Sequence, residues 1–168
     1  VQAGIGSTGT GSDGLMIHQN TANVTLKDLL LYPSQTNVFV DDLIKIDQNS
    51  ADDVYNTVTV ENCILTDIKA DGTPLITTRA EAYLPPVAAA ATARTNAFAS
   101  LLQCWCDDGE ALNLYLKNSV IYGNTVTTSS GNNIRLAYDR NNQEYKIENC
   151  VIAYGNSDLV RVSSDGTY

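Results

Sequence analysis

The sequence has 168 residues, 43% of them hydrophobic, and its 19 acidic and 10 basic residues give a net charge of −9. This is the length of one ordinary domain, large enough to bury a core but short for two. The negative charge repels nucleic-acid phosphates and anionic lipids, and the sequence has no apolar run of the roughly 20 residues that a membrane-spanning helix needs. We therefore expect one domain, without nucleic-acid partners and without membrane insertion.

The first segment in chain order, residues 1–13, is rich in glycine, and we expect it to be flexible. Since it follows no strand pattern and precedes no helix pattern, it does not qualify as a phosphate-binding loop. From residue 14 onward, apolar and polar residues alternate over short segments, as in "VTVE" from Val58. This two-residue period is typical of half-buried strands and not of helices.

One phrase then occurs four times, with the pattern apolar, any residue, apolar, charged, Asn or Asp. The copies are "VTLKDLLLYPS" from Val24, "VTVENCILTDI" from Val58, "LYLKNSVIYGN" from Leu114 and "YKIENCVIAYGN" from Tyr145. A second type of strand lies between them, in "GLMIHQN" from Gly14, "DLIKIDQN" from Asp42, "NIRLAYD" from Asn133 and "DLVRVSSDG" from Asp158. The four phrases start 34, 56 and 31 residues apart, and the longer spacing indicates an insertion or an extra turn. Repeats of this length are typical of solenoids, whose units must stack to bury their apolar faces.

Four residues occupy the same place in the repeated phrase: Asp28, Asn62, Asn118 and Asn149. In a coil of parallel turns about 4.8 Å apart, they would form one column at a bend. Side chains there can bond the backbone of their own turn and the amide of the next turn. The alternative is four independent turn residues in an antiparallel sandwich, but the identical position within the phrase favours the coil.

The phrases "VTVENCILTD", "LYLKNSVIYGN" and "YKIENCVIAYGN" resemble the right-handed parallel β-helix repeats of the pectin-lyase-like superfamily, which carry Asn ladders. The resemblance covers about residues 14–166, with an interruption at 77–111. It implies an all-β fold, a single-stranded right-handed parallel β-helix over 14–168 with an insertion at about 77–111. The superfamily includes polysaccharide lyases, glycoside hydrolases, epimerases, phage tailspikes and non-catalytic surface proteins, so the resemblance leaves the activity open.

The insertion contains Pro85 and Pro86, which stop a strand, followed by a run of alanines with high helix propensity. We expect a short helix from about Pro86 to Thr95, within residues 85–97, on the outside of the coil. The insertion is either a decorative loop or a contact surface for another subunit.

The ends of the repeat show no amphipathic capping helix, although solenoids generally need capping units. The last residues, "RVSSDGTY", directly follow a strand pattern. Either the sequence is part of a longer protein, or the open end stacks on another copy in a head-to-tail contact that does not close. We therefore expect the partners to be copies of this chain or adjoining repeats of the same protein.

The four cysteines could form two disulfides, but their positions in the repeat argue against one pairing. Cys63 and Cys150 hold the same place in phrases that lie two turns, about 9.6 Å, apart, which exceeds the roughly 7 Å limit between bridged Cα atoms. We expect both to be small buried core residues. Cys104 and Cys106 point the same way along one strand and do not bridge readily. The only histidine, His18, is far away in sequence, so a metal site at these thiols is disfavoured.

Acidic residues that could do chemistry cluster at Asp107, Asp108 and Glu110. The paired aspartates are similar to those of the pectin hydrolases in that superfamily. The resemblance therefore implies that these aspartates act in inverting catalysis. Those enzymes also carry Gly-His-Gly and Arg-Ile-Lys motifs, and both are missing here. We therefore expect solvated turn residues and no cofactor, with weak calcium binding as the alternative.

A glycan platform is a second candidate site, because Trp105, Tyr115 and Tyr122 could present flat rings on which a sugar stacks. Outward tyrosines are also common on ordinary strands.

The hypothesis we favour is a secreted, non-enzymatic structural or adhesive β-helical module that assembles end to end into a filament or surface stalk. A composition rich in Asn, Thr, Ser and Gly favours an extracellular or cell-surface location. The alternative is a carbohydrate-active β-helix that binds or cleaves a polysaccharide along its outer groove.

Overall fold

The computed structural model describes residues 2–3, 15–18, 23–33, 42–48, 56–69, 71–85, 100–106, 112–123, 132–138, 144–155 and 157–164. The fold of these residues is all-β, with short strands joined by bends. The strands are β1 (Gln2–Ala3), β2 (Leu15–His18), β3 (Val24–Lys27), β4 (Leu30–Pro33), β5 (Asp42–Gln48), β6 (Asn56–Glu61), β7 (Ile64–Thr66), β8 (Ser100–Cys106), β9 (Leu112–Lys117), β10 (Val120–Tyr122), β11 (Asn132–Tyr138), β12 (Tyr145–Glu148), β13 (Val151–Ala153) and β14 (Val160–Ser164). Apart from β1, the Gly-rich segment at 1–13 lies outside the described residues.

The strands form three parallel sheets that the chain visits in turn. Sheet I contains β2, β5, β8, β11 and β14; sheet II contains β3, β6, β9 and β12; and sheet III contains β1, β4, β7, β10 and β13. Because each sheet takes one strand from each successive turn, the chain is a coil, and turns 1 to 4 begin at β2, β5, β8 and β11. The predicted β-helix solenoid is confirmed, and the antiparallel sandwich is excluded.

The register within sheet II aligns the four repeated phrases residue for residue. Val24 pairs with Val58, Val58 with Leu114, and Leu114 with Tyr145. These are the four phrase starts identified in the sequence. Since β6 pairs directly with β9, the spacing of 56 residues is one turn with extra residues and not an additional turn.

The extra residues of turn 2 lie between β7 and β8. Although β8 falls inside the range 77–111 that was predicted to interrupt the coil, it is a full member of sheet I. Its neighbouring residues Leu101 and Leu102 are both fully buried, as are Leu43 and Ile44 at the equivalent positions of β5. The one helix that the structure describes is a 3₁₀ turn at Ala80–Tyr83. Residues 86–95, where the short helix was predicted, lie outside the described residues.

The core fills the inside of the coil with columns of apolar side chains. Val60 and Leu116 are register partners in sheet II, and both are fully buried. Burial of such a side chain contributes about 1.5–3 kcal/mol. Each turn places apolar side chains at the same positions, which we call stations. A single turn therefore needs its neighbouring turns to be stable.

A second apolar cluster lies outside the coil, where the insertion covers sheet III. Leu75 and Ile76 pack there against Val120 and Tyr122. The next residue, Gly123, has φ of 88°, and the Leu75 side chain occupies the space that a Cβ would take. A glycine at this bend therefore allows the insertion to approach the sheet closely.

Candidate functional site

The structure places the four predicted ladder residues at one bend, between sheets II and III. The φ angles of Asp28, Asn62, Asn118 and Asn149 are 57°, 55°, 51° and 49°. This is the left-handed region, which Asn and Asp tolerate better than other residues with a Cβ. The sequence pattern therefore has a backbone cause in addition to side-chain bonding. We call these four residues the Asx column.

Side chains of the Asx column bond in two pairs. Asn62 Nδ2 donates to Asp28 Oδ1, and Asn149 Nδ2 donates to Asn118 Oδ1 at 2.7 Å. In both pairs the later turn donates and the earlier turn accepts. Among the described residues, no hydrogen bond joins the side chains of Asn62 and Asn118. The backbone ladder nevertheless continues through the bend there, since the amide of Asn62 donates to the carbonyl of Lys117 at 3.0 Å.

The beginning of the insertion reaches across to this column. Arg79 donates from Nη1 to the backbone oxygen of Asn149 at 2.9 Å and from Nη2 to Asn149 Oδ1 at 3.2 Å. Glu81 holds this segment in shape, because its Oε2 accepts from the amides of Thr77 at 2.6 Å and Thr78 at 2.8 Å. These amide donors lower the pKa of Glu81 below its usual value. The insertion of turn 2 is thereby tied to turn 4.

An open groove of about 320 Å³ lies between this segment and the bend. Its polar lining consists of Asp28, Asn62, Asn118, Thr77 and Arg79, and its apolar lining includes Ile64 and Val120. We call it the Asx groove. The sequence did not indicate that Arg79 lines the Asx groove, because Arg79 and Asn149 are 70 residues apart and the insertion does not repeat.

Beside the Asx column runs a second column of small polar side chains, formed by Cys63, Ser119 and Cys150. Cys63 Sγ donates to the carbonyl of Glu61 at 3.2 Å, and Cys150 Sγ donates to that of Glu148 at 3.2 Å. Ser119 Oγ has the equivalent bond to the carbonyl of Lys117 at 2.8 Å, and it accepts from the amide of Cys63 at 3.1 Å. These side chains satisfy backbone groups at the bend.

The free state predicted for Cys63 and Cys150 is confirmed, and Cys104 is free as well. Cys63 is buried as predicted, whereas Cys150, which was also predicted to be buried, is half-buried. Burial raises the pKa of both thiols above the usual value of 9.0. The side chain of Cys106 lies outside the described part of the structure.

The three aromatic residues of the predicted glycan platform lie on strands of three different sheets, and the side chain of Trp105 lies outside the described part of the structure. Trp105 lies on β8 in sheet I, Tyr115 on β9 in sheet II and Tyr122 on β10 in sheet III. Successive strands of one turn belong to different sheets, which face different directions. Residues that are close in sequence can therefore lie on different sides of the coil. Tyr122 is also buried beneath the insertion, with its ring 5.5 Å from that of Tyr154. Tyr115 and Tyr122 therefore do not form one surface.

Tyr115 belongs instead to a polar cluster on the outer face of sheet II. Its hydroxyl donates to Glu144 Oε2 at 2.7 Å, and Glu144 Oε1 lies 2.8 Å from Lys146 Nζ. The ammonium groups of Lys146 and Lys117 lie 4.9 and 5.4 Å from the centre of the Tyr115 ring. This cluster uses the ring as a partner for cations and not as a free stacking surface.

The acidic candidates Asp107, Asp108 and Glu110 lie outside the described residues. Where the chain is described, no three His, Cys, Asp or Glu side chains are grouped closely enough to hold a metal ion. Within the same ranges, no helix has the length and apolar character to cross a membrane.

Comparison of this chain with family models, with curated proteins and with solved structures finds no match.

Proposed function

We propose that this chain is a non-enzymatic structural module of a secreted or cell-surface protein, and that it assembles end to end through the last turn of its β-helix. The polar residues that repeat in the sequence serve the architecture, since the Asx column and the thiol and hydroxyl column satisfy backbone and side-chain groups at the bends. Membership of the pectin-lyase-like superfamily is part of this proposal, and the stacked Asx column supports it. The extracellular location rests on composition.

The exposure of core-facing side chains on the last described strands of sheets I and II, β14 and β12, carries the proposal. Val162 is 63% exposed, whereas its register partner Leu136 is 3% exposed. Ile147 is 41% exposed, whereas its partner Leu116 is fully buried. These stations bury apolar surface wherever a further turn follows them. Where the chain is described, no strand pairs with the outer side of β14, and a parallel edge with exposed apolar residues favours the addition of another strand.

The occupant that we propose is the first turn of a second copy, with its β2 next to β14. Along the inner column of sheet I, Ile17, Ile46, Cys104, Leu136 and Val162 follow one another in register. A second copy would place its Ile17 after Val162 and so continue the same apolar column. This contact is heterologous and does not close, so repeated addition produces a filament.

Light scattering coupled to size exclusion, together with electron microscopy, tests the proposal. We expect the wild-type chain to form elongated assemblies that grow with protein concentration. Val162→Lys should abolish them, because it places a charge in the new core. Leu84→Lys is the matched control, since Leu84 is 61% exposed on the insertion and not in the last turn. A wild-type chain that stays monomeric at every concentration would contradict end-to-end assembly.

A further inference from the structure

We call the pair Asn62 and Asn118 the central step of the Asx column. Two side-chain atoms of this pair have no hydrogen-bond partner among the described residues. Asn62 uses its Nδ2 on Asp28, and Asn118 uses its Oδ1 on Asn149. Between them, the Oδ1 of Asn62 and the Nδ2 of Asn118 make no bond to any described residue. One acceptor and one donor thus belong to residues on neighbouring turns, at stations about 4.8 Å apart along the coil.

The Asx groove opens beside this step. Both asparagines are exposed, and both line the groove together with Asp28 and Arg79. The groove volume of about 320 Å³ is near the lower end of the range of roughly 300–1,000 Å³ for small-molecule sites. Leu29, Leu30 and Ile64, which are half-buried, add an apolar part to the lining. Apolar walls with a few convergent polar groups are typical of such sites.

We propose that the Asx groove binds a small neutral polyhydroxylated ligand, namely one sugar residue. A hydroxyl group donates and accepts at the same time, so one hydroxyl can donate to Asn62 Oδ1 and accept from Asn118 Nδ2. The Asp28 carboxylate accepts from a further hydroxyl, and the guanidinium of Arg79 donates to another. The C–H face of the sugar contacts the apolar lining.

Charge favours a neutral sugar over a uronic acid. The groove contains one carboxylate, Asp28, and one guanidinium, Arg79, whose charges offset each other. Arg79 already donates to Asn149, and the net charge of −9 repels anions. The site is separate from the aromatic residues of sheets I and II, and it does not depend on end-to-end assembly.

Saturation-transfer difference NMR on the full chain tests this proposal, with glucose, galactose and mannose as neutral probes and galacturonate as the charged comparator. We expect at least one neutral sugar to bind with a Kd of about 1 mM, a weak affinity suited to a few hydrogen bonds in an open groove. The side-chain amide signals of Asn62 and Asn118 should shift on its addition. Absence of saturation transfer from every neutral sugar, or stronger binding of galacturonate, would overturn the proposal.

Asn118→Asp isolates the proposed contact. The substitution removes the Nδ2 donor but keeps an oxygen that accepts from Asn149, and Asp28 shows that an aspartate fits the same left-handed station. We expect about tenfold weaker sugar binding, as for one lost hydrogen bond, with an unchanged circular dichroism spectrum. Tyr115→Phe, outside the groove, should bind like the wild type. Equal sugar affinity of Asn118→Asp and wild type would mean that the central step holds only water, and this would also overturn the proposal.

Discussion

Asn149 donates its side-chain amide to Asn118 Oδ1 at 2.7 Å, although the two residues are 31 positions apart in the sequence. The same relationship joins Asn62 to Asp28 over 34 positions. Each separation equals the length of one turn of the coil. Hydrogen bonds between side chains therefore connect successive turns at the bend, in addition to the backbone hydrogen bonds that continue through it.

The left-handed backbone of the Asx column gives a first prediction, at Asn62. Asn62→Ala should reduce the free energy of unfolding by about 2–3 kcal/mol, because alanine is strained at φ of 55° and the bond to Asp28 is lost. Asn62→Gly should cost only about 1 kcal/mol, since glycine relieves the backbone strain. Urea unfolding measures both values. Thr59→Ala, on the outer face of β6, is the control, and equal losses for alanine and glycine would refute the backbone argument.

Ser119 gives a second prediction, because its hydroxyl both donates and accepts inside the coil. Ser119→Ala should cost about 1–3 kcal/mol, since it leaves the buried amide of Cys63 without its acceptor. Ser119→Cys should cost less, because cysteine occupies the same station in turns 2 and 4 and bonds the equivalent carbonyl. The urea midpoints of the two variants make the comparison. A larger loss for cysteine than for alanine would show that volume, and not hydrogen bonding, decides at this station.

The coil was predictable because the interactions that define it repeat. Stacked turns place the same demand on the same station, so Asn62 and Asn118 recur with their flanking apolar residues. The reason for Asx at that station was only partly predictable. The sequence indicated side-chain bonding, whereas the left-handed φ angles also require residues that tolerate this conformation.

The candidate site was much less predictable, because it depends on contacts that occur once. Arg79 reaches Asn149 from an insertion that has no counterpart in the other turns. Tyr115 and Tyr122 are close in sequence, but they lie on different sheets because the chain bends between β9 and β10. A repeat pattern specifies which residues stack along the coil, but it does not specify how an insertion covers the outside.

A third prediction concerns the alternating charges on the outer face of sheet II, where Lys27, Glu61, Lys117 and Glu148 are successive register partners. Lys27 Nζ lies 3.3 Å from Glu61 Oε1. Glu61→Lys would align three lysines and should cost about 1–2 kcal/mol at low salt, with a smaller loss in 1 M NaCl because salt screens exposed charges. Glu61→Gln, the uncharged control, should cost less than about 1 kcal/mol. Denaturant unfolding at both salt concentrations measures the effect, and a salt-independent loss would rule out a charge origin.

The thiols of Cys63 and Cys150 give a fourth prediction, on the dependence of stability on pH. Burial raises the pKa of Cys63 and of Cys150 above 9.0, so the folded state holds these protons more tightly than the unfolded state does. The resulting stabilisation is fully present below pH 9 and is lost as the pH rises through the pKa values of the folded state. We expect the urea midpoint of the wild-type chain to fall above pH 9, beyond any decline that other groups cause.

The double variant Cys63→Ser and Cys150→Ser separates the thiols from the lysines and tyrosines that titrate in the same range. Ser119 shows that a hydroxyl fits this column, so the variant should fold. Its urea midpoint should fall less steeply than that of the wild-type chain above pH 9, and the two curves should run parallel below it. Curves that stay parallel through the alkaline range would mean that the thiols do not couple to folding. In that case the hydrogen bonds of Cys63 and Cys150 to the carbonyls of Glu61 and Glu148 would offset the effect of burial.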